Sequence, residues 1–396
     1  MPSVPSAASS LASLASPEAP VYRLGFRPFY LLAAALAVVA LPAWILSYLG
    51  LWQAARIDLL WHMHEMTFGF AGAVVAGFLF TAVQAWTGLP TPHGATLRAL
   101  AALWLAGRCA ALSGIPLLYA IVDLAFLAAV AWIILRLLLA AHNRRNLPVA
   151  GVVALLAASN LAFHLALAGW LPVSPIDTVR AAIMFLVLLV ALIGGRVAPM
   201  FTRNGAPGSR PRQSGYLDLA CALLIALATL CWFGGAPAWL TAGAAWCAAG
   251  ANAVRLVLWD PLATRSNPLL WTIHLSFALL AAGLAALGLA ASGHVSPSSA
   301  LHLLAIGAMG GMIGAMITRT ALGHTGRPLR AGRSETAIYV LLPLAALARL
   351  IANTLDGALR DGMLALSATF WAGAFLVYLV RYLPYLTSPR ADGKPG

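Results

Sequence analysis

Apolar stretches of about 17 to 25 residues, the length a helix needs to cross a bilayer, follow one another along nearly the whole chain. Short segments rich in Pro, Gly and polar residues separate them. The stretches are continuous runs of Leu, Ala and Val without the alternation of β-barrel strands, so we predict helices. The twelve predicted spans are 27–50, 59–82, 97–113, 115–140, 147–170, 177–197, 216–233, 237–258, 267–289, 299–319, 335–355 and 360–384.

Composition leads to the same fold class. Hydrophobic residues make up 62% of the 396 residues and charged residues only 9%, with a mean hydropathy of +0.88. A soluble domain carries about a quarter charged residues, so a soluble protein is excluded. We therefore predict an all-α, polytopic integral membrane protein with one membrane domain at 21–384. The Ser/Ala/Pro-rich segment 1–20 is predicted to be a disordered tail, and 385–396 a short cytoplasmic tail.

The net charge of +13 does not indicate nucleic-acid binding, because the basic residues lie in the short loops between apolar stretches. If the spans alternate in direction, 19 of the 24 Lys and Arg residues fall on one side of the membrane. The positive-inside rule makes that side cytoplasmic, with both chain ends there. The expected location is the cell inner membrane, with lipid as a partner. The five basic residues on the opposite, outer side are Arg56, Arg108, Arg180, Arg349 and Arg360.

Charged residues inside a predicted span are costly and therefore informative. Arg108 and Asp123 lie at equal distances from the turn centred between Ile115 and Pro116, which joins the third and fourth spans. In an antiparallel pair of helices they share one depth, so we predict an ion pair.

Histidines in the outer third of the membrane indicate a metal or haem site, because neutral imidazole is the commonest metal ligand. The second span begins Trp61-His62-Met63-His64-Glu65-Met66. At about 100° per residue, His62, Glu65 and Met66 share one helical face and His64 points nearly opposite. His164 in the fifth span and His302 in the tenth reach the same layer. Alternatively, each histidine is a buried packing residue that forms a hydrogen bond and binds no ligand.

Five segments resemble signatures of the NnrS family, bacterial membrane proteins associated with nitric oxide. They are Phe26-Arg27-Pro28-Phe29; His62-Met63-His64-Glu65-Met66 with Gly69-Phe70; Gly194-Gly195-Arg196 with Pro199 to Arg203; Trp271-Thr272-Ile273-His274; and Thr318-Arg319 with Leu322 to Pro328. With the twelve-span plan, the resemblance covers about 22–384.

The resemblance implies an inner-membrane protein containing haem and copper, linked to denitrification and nitrosative stress. Any haem is b-type, because the chain has no CxxCH attachment site, and any electron donor is a separate protein. We assign His64, His302 and His164 as cofactor-binding candidates. The metal candidates are His62, His274, His324, Glu65 and Met66. His274 and His324 are expected to form one cytoplasmic-side site, either a second ligand pair or a proton-entry route. No catalytic residue is indicated.

Haem-copper oxidases and nitric oxide reductases also have twelve helices, with haem-ligating histidines on the second and tenth. Their sixth and seventh helices add histidines for a second metal, and this chain has none there. An oxidase-like binuclear centre at that place is therefore not expected, and fold analogy alone carries little weight.

Two other function classes stay open. A transporter for a metal ion or a small solute fits twelve spans with possible repeats and buried charges, and it predicts a colourless protein. A structural or sensory membrane partner is the third class, with no specific feature in its favour. If the chain is an enzyme, we expect a redox protein that acts on nitric oxide or a related species.

Overall fold

The structure, a computed structural model, describes residue 16 and residues 18–394. The predicted disordered tail at 1–20 lies outside the described residues except for residue 16 and residues 18–20. Twelve long helices account for most of the described chain. They are α1 Phe26–Tyr48, α2 Leu59–Thr87, α3 Gly94–Ser113, α4 Pro116–Ala140, α5 Leu147–Leu167, α6 Pro175–Gly205, α7 Gly215–Phe233, α8 Ala238–Leu258, α9 Pro268–Ala291, α10 Pro297–His324, α11 Arg333–Ala352 and α12 Gly357–Thr387.

The predicted membrane fold is confirmed: eleven of these helices are long and apolar enough to span a bilayer. Within the described chain only α8 falls short, because it is rich in Ala and Gly and contains Asn252 and Arg255. Both polar side chains are buried, and Arg255 donates to the Asn252 amide oxygen at 2.7 Å. Several helices extend past their predicted ends. For example, α6 continues to Gly205, because polar residues beyond the apolar core still gain from helical backbone hydrogen bonds.

Polar residues and proline set where several helices begin. Ser174, Asn267 and Ser296 each accept a hydrogen bond from a backbone N–H in the first turn of α6, α9 and α10. A proline follows each cap, at a position where its missing N–H costs nothing. Asp58 caps α2 in the same way, through the Trp61 N–H at 2.8 Å. These caps determine how deep the first residues of each helix lie.

Three helices, α2, α6 and α10, form the centre of the bundle and contact one another. Their most apolar windows are 83%, 61% and 83% buried inside the protein, against at most 50% for the other candidate spans. They are four helices apart in the chain and run in the same direction. Thr202-Arg203 and Thr318-Arg319 lie near the matching ends of α6 and α10. A threefold repeat of four helices would produce this spacing, and the positive-inside rule alone also favours Thr-Arg at these helix ends.

The helices α2 and α10 share an unusual internal construction. Each starts with six α-helical residues, Leu59–His64 and Pro297–His302, and continues as a π-helix at Glu65–Ala71 and Leu303–Gly310. Each then returns to α-helix. In both, the last residue before the π segment is a histidine. Such π segments are rare and occur frequently at functional sites.

The C-terminal segment packs against the bundle end that the arginine distribution assigns to the cytoplasm. Arg27 is fully buried and donates to the carbonyls of Leu386 and Ser388 at 3.1 and 2.8 Å. Arg390 donates to the His324 carbonyl at 3.2 Å. The Phe26 to Phe29 motif thus ties the start of α1 to the end of α12. We call this the inner end of the bundle and the opposite one the outer end.

Candidate functional site

A cavity of about 400 Å³ opens in the outer half of the bundle. Residues of α1, α2, α6, α10, α11 and α12 line it, and most of them are apolar. The central helices contribute its histidines, His62 from α2 and His302 from α10. Met66 and Met309 lie in the wall below them. A cavity of this size with a mostly apolar lining and few polar groups is typical of a cofactor or small-molecule site.

The surroundings of His302 determine which ring nitrogen is available to a ligand. Its Nδ1 lies 2.7 Å from the Ser298 carbonyl, which can only accept a hydrogen bond. Nδ1 is therefore the protonated nitrogen, and Nε2 keeps its lone pair. A backbone carbonyl that fixes the tautomer in this way is the usual support of a metal-binding histidine.

His62 is held by stacking. Its ring lies 5.3 Å from the Trp44 ring, centroid to centroid, with an angle of 11° between the planes. Its buried Nδ1 has no hydrogen-bond partner among the described residues. Leaving a buried imidazole nitrogen unbonded costs free energy, which a ligand would recover. Both cavity histidines thus have a nitrogen suited to ligation.

A second polar site lies on the opposite face of α2, among α2, α3, α4 and α5. It is a cluster of six buried side chains that we call the Asp123 cluster. Its members are His64, Glu65, Arg108, Asp123, Asn160 and His164. The predicted ion pair between Arg108 and Asp123 is confirmed, through Nη2 and Oδ1.

The other carboxylate oxygen of Asp123 collects three contacts. His64 Nε2 and His164 Nε2 each lie 3.1 Å from Oδ2, and the Asn160 amide donates to it at 2.7 Å. Glu65 contacts His64 Nδ1 at 3.1 Å and accepts from Arg108 at 2.9 Å. One ligand atom each of His64, Asp123 and His164 lie within 4.8 Å of one another, close enough to hold one metal ion.

With both of its carboxyl groups ionised, the Asp123 cluster is neutral only with one additional positive charge. Asp123 and Glu65 are two carboxylates, and Arg108 is a single guanidinium. Both ring nitrogens of His64 face oxygen acceptors, which suits an imidazole carrying two protons. The additional positive charge is therefore either the second proton of the His64 ring or a bound cation, because a net buried charge is very costly.

Gly69 allows Arg108 to reach the cluster. A Cβ atom at this position would lie 2.5 Å from Arg108 Nη1 and 3.1 Å from Glu65 Oε2. We expect Gly69→Ala to displace the guanidinium from both carboxylates and to lower stability by about 1–3 kcal/mol. Thermal unfolding of the purified protein in detergent measures this.

Gly151→Ala is the matched control for that substitution. Gly151 lies in α5, and a Cβ there would meet nothing within 4 Å. Helix propensity favours alanine by up to about 1 kcal/mol, so the control is expected to be neutral or slightly stabilising. Equal unfolding temperatures for the two variants would contradict the role assigned to Gly69.

The structure groups the predicted site residues differently from the helical-face argument, which assigns residues 62–66 to two opposite faces of a regular α-helix. His64 and His302 are both predicted to bind the cofactor, whereas in the structure His302 shares its cavity with His62. His64 and His164 lie together in the Asp123 cluster. The same argument groups Glu65 with His62, yet the Glu65 carboxylate contacts His64. Glu65 lies at the edge of both faces and opens the π segment, so a regular α-helical period does not determine its direction.

His274 and His324 have different surroundings at the inner end. His274 Nε2 lies 2.8 Å from the Thr202 hydroxyl, and its ring meets Trp259 edge-on. His324 lies at the end of α10, with its ring 5.6 Å from that of Phe26. Each histidine thus has its own neighbours, and their shared site stays a prediction.

Sequence reasoning did not single out the arginines at the outer end of the cavity, Arg180, Arg349 and Arg360. The sequence feature that could have identified them is their position on the outer side of the membrane. They are three of the five basic residues on the side where positive charge is disfavoured. A residue retained there against the topological preference is a candidate for binding.

Sequence comparison finds a family match over nearly the whole chain. The sequence profile of the family described as NnrS protein matches residues 20–390. No curated protein matches the chain. Since the profile match runs from before α1 to beyond α12, the chain belongs to the NnrS family.

Proposed function

We propose that this NnrS-family protein is a haem- and copper-containing protein of the inner membrane that acts on nitric oxide or a related small molecule. The role in resistance to nitrosative stress rests on the family resemblance. The observation that carries the cofactor proposal is the pair of histidines, His62 and His302, lining one cavity between the two central π-containing helices.

The cavity suits haem b. Its volume of about 400 Å³ and its apolar walls match a flat, largely apolar cofactor. His62 and His302 would hold the iron, which imidazole nitrogen ligates well. Ser298 orients His302, Trp44 holds the ring of His62, and the apolar walls exclude water. Bound haem would supply one-electron chemistry toward a small molecule such as nitric oxide.

The Asp123 cluster suits a second metal ion. Two imidazoles and one carboxylate form a donor set that copper and zinc accept. A cation here would replace the proton that His64 otherwise needs for charge balance. Met66 lines the haem cavity instead, so soft sulfur ligands do not contribute to this site. We therefore propose His64, Asp123 and His164 as the copper ligands, with Arg108 and Glu65 supporting them.

A small apolar cavity of about 70 Å³ adjoins the haem cavity at Met309, which lines both. Its other lining residues are apolar apart from the Tyr30 ring, and they include Val74, Leu186 and Met312. Apolar cavities stay dry and bind small uncharged molecules. This environment favours a ligand such as nitric oxide over an ion or a polar solute.

Absorbance and metal analysis of the purified full-length protein test the proposal. We expect a Soret band and bound copper in the wild type. His64→Ala and His164→Ala should lose copper and retain the Soret band, because their side chains lie outside the haem cavity. His294→Ala, in the loop before α10, is the control and should retain both.

The competing class, a transporter of a metal ion or a small solute, gives the opposite result. It predicts colourless protein and uptake of solute into vesicles. A wild-type preparation without a Soret band and without bound copper, from haem- and copper-replete cells, would contradict our proposal. Uptake into vesicles would then identify the transported species.

A further inference from the structure

The outer mouth of the haem cavity carries three guanidinium groups, and two of them have no carboxylate partner. Arg180 forms an ion pair with Asp177 at 3.0 Å. Within the described residues, neither Arg349 nor Arg360 forms an ion pair with a carboxylate. The two groups also interact with each other as like charges. Two uncompensated positive charges at the mouth of an apolar cavity favour an anionic ligand.

Arg349 is connected to His302 through one residue. Its Nη2 donates to the Ser298 hydroxyl at 3.0 Å, and that hydroxyl lies 3.2 Å from His302 Nδ1. The other terminal nitrogen of the guanidinium donates to the Asn353 amide oxygen. These bonds hold the half-buried guanidinium beside the histidine on α10 before any ligand binds.

Arg360 is connected to His62 through two aromatic rings. Its Nη2 donates to the Tyr48 hydroxyl at 2.8 Å. The Tyr48 ring lies 5.5 Å from Trp44, and Trp44 stacks on His62. Each cavity histidine is thus linked to one rim arginine. The two histidines lie in α2 and α10, and the two arginines lie in α11 and α12.

We propose that Arg349 and Arg360 bind the two carboxylate groups of the tetrapyrrole, so that its carboxylate edge faces the outer mouth. The inference rests on the haem proposed for this cavity. A guanidinium suits this task because its planar array of N–H donors matches a carboxylate and stays charged. Most of the remaining lining is apolar and suits the other edges of the ring. The histidine pair and the arginine pair together then determine how the cofactor is oriented.

A comparison of haem b with its dimethyl ester tests the inference. Full-length protein is prepared from haem-depleted cells and titrated in detergent with each pigment, following the Soret shift. We expect wild-type protein to bind the dicarboxylate at least about tenfold more tightly than the diester, which lacks the charges. Arg349→Gln with Arg360→Gln should lower affinity for the dicarboxylate by about tenfold and leave affinity for the diester unchanged.

Arg180→Gln is the matched control, because Arg180 lies on the same rim but is already paired with Asp177. It should change either affinity less than about twofold. Equal affinity of the wild type for both pigments would overturn the inference and leave the haem site standing. An equal loss of affinity for both pigments in the double variant would also overturn the inference. Failure of the wild type to bind either pigment would instead contradict the proposed function.

Discussion

Replacing His302 or His62 with alanine is expected to remove most of the haem from the purified protein, lowering the Soret absorbance per protein at least about tenfold. Each substitution deletes one of the two imidazoles that line the cavity. No other histidine of the described chain lines it, so no further imidazole can replace the lost one. The haem-to-protein ratio of each variant, determined after alkaline pyridine extraction, measures the effect.

His64→Ala separates the two candidate sites in the same assay. His64 lies two residues from His62 on the opposite face of α2, inside the Asp123 cluster. The His64→Ala variant should retain haem if the cavity holds the cofactor. Haem loss in His64→Ala with full retention in His62→Ala would instead support the sequence-based assignment of His64 as a cofactor-binding residue.

Asp123→Asn is expected to produce the largest loss of stability, on the order of 3–5 kcal/mol, because it removes the buried carboxylate charge that pairs with Arg108 and contacts both histidines of the cluster. Asp123 is 2% exposed and Arg108 is 9% exposed, so water cannot compensate the charge. The substitution also weakens the contacts of Oδ2 with both histidines. Thermal unfolding in detergent and the yield of folded protein measure the loss.

The exposed pair of Asp177 and Arg180 provides the control for that measurement. Asp177→Asn removes a carboxylate of the same chemistry, but the two side chains are 48% and 31% exposed. The expected change is at most about 1 kcal/mol. An Asp123→Asn variant as stable as Asp177→Asn would show that the buried charges are not coupled.

The sequence by itself determined the fold class and the threading of the chain. Water and lipid act on every residue, so the apolar stretches had to become membrane helices whatever their partners. The ion pair of Arg108 with Asp123 was predictable for a local reason: a tight hairpin places residues at equal distances from its turn at one depth. The histidines on α2 and α10 were recognisable as candidates because polar groups are costly in the membrane.

Only the tertiary structure decided which histidines meet. His62 and His302 are 240 residues apart in the numbering, and no local period relates the face of one helix to that of another. The π segments after His64 and His302 change the helical register within α2 and α10, and they form where packing favours them. Arg349 and Arg360 join the same cavity from α11 and α12. Helix packing across the bundle, which no single segment encodes, therefore determined the composition of the site.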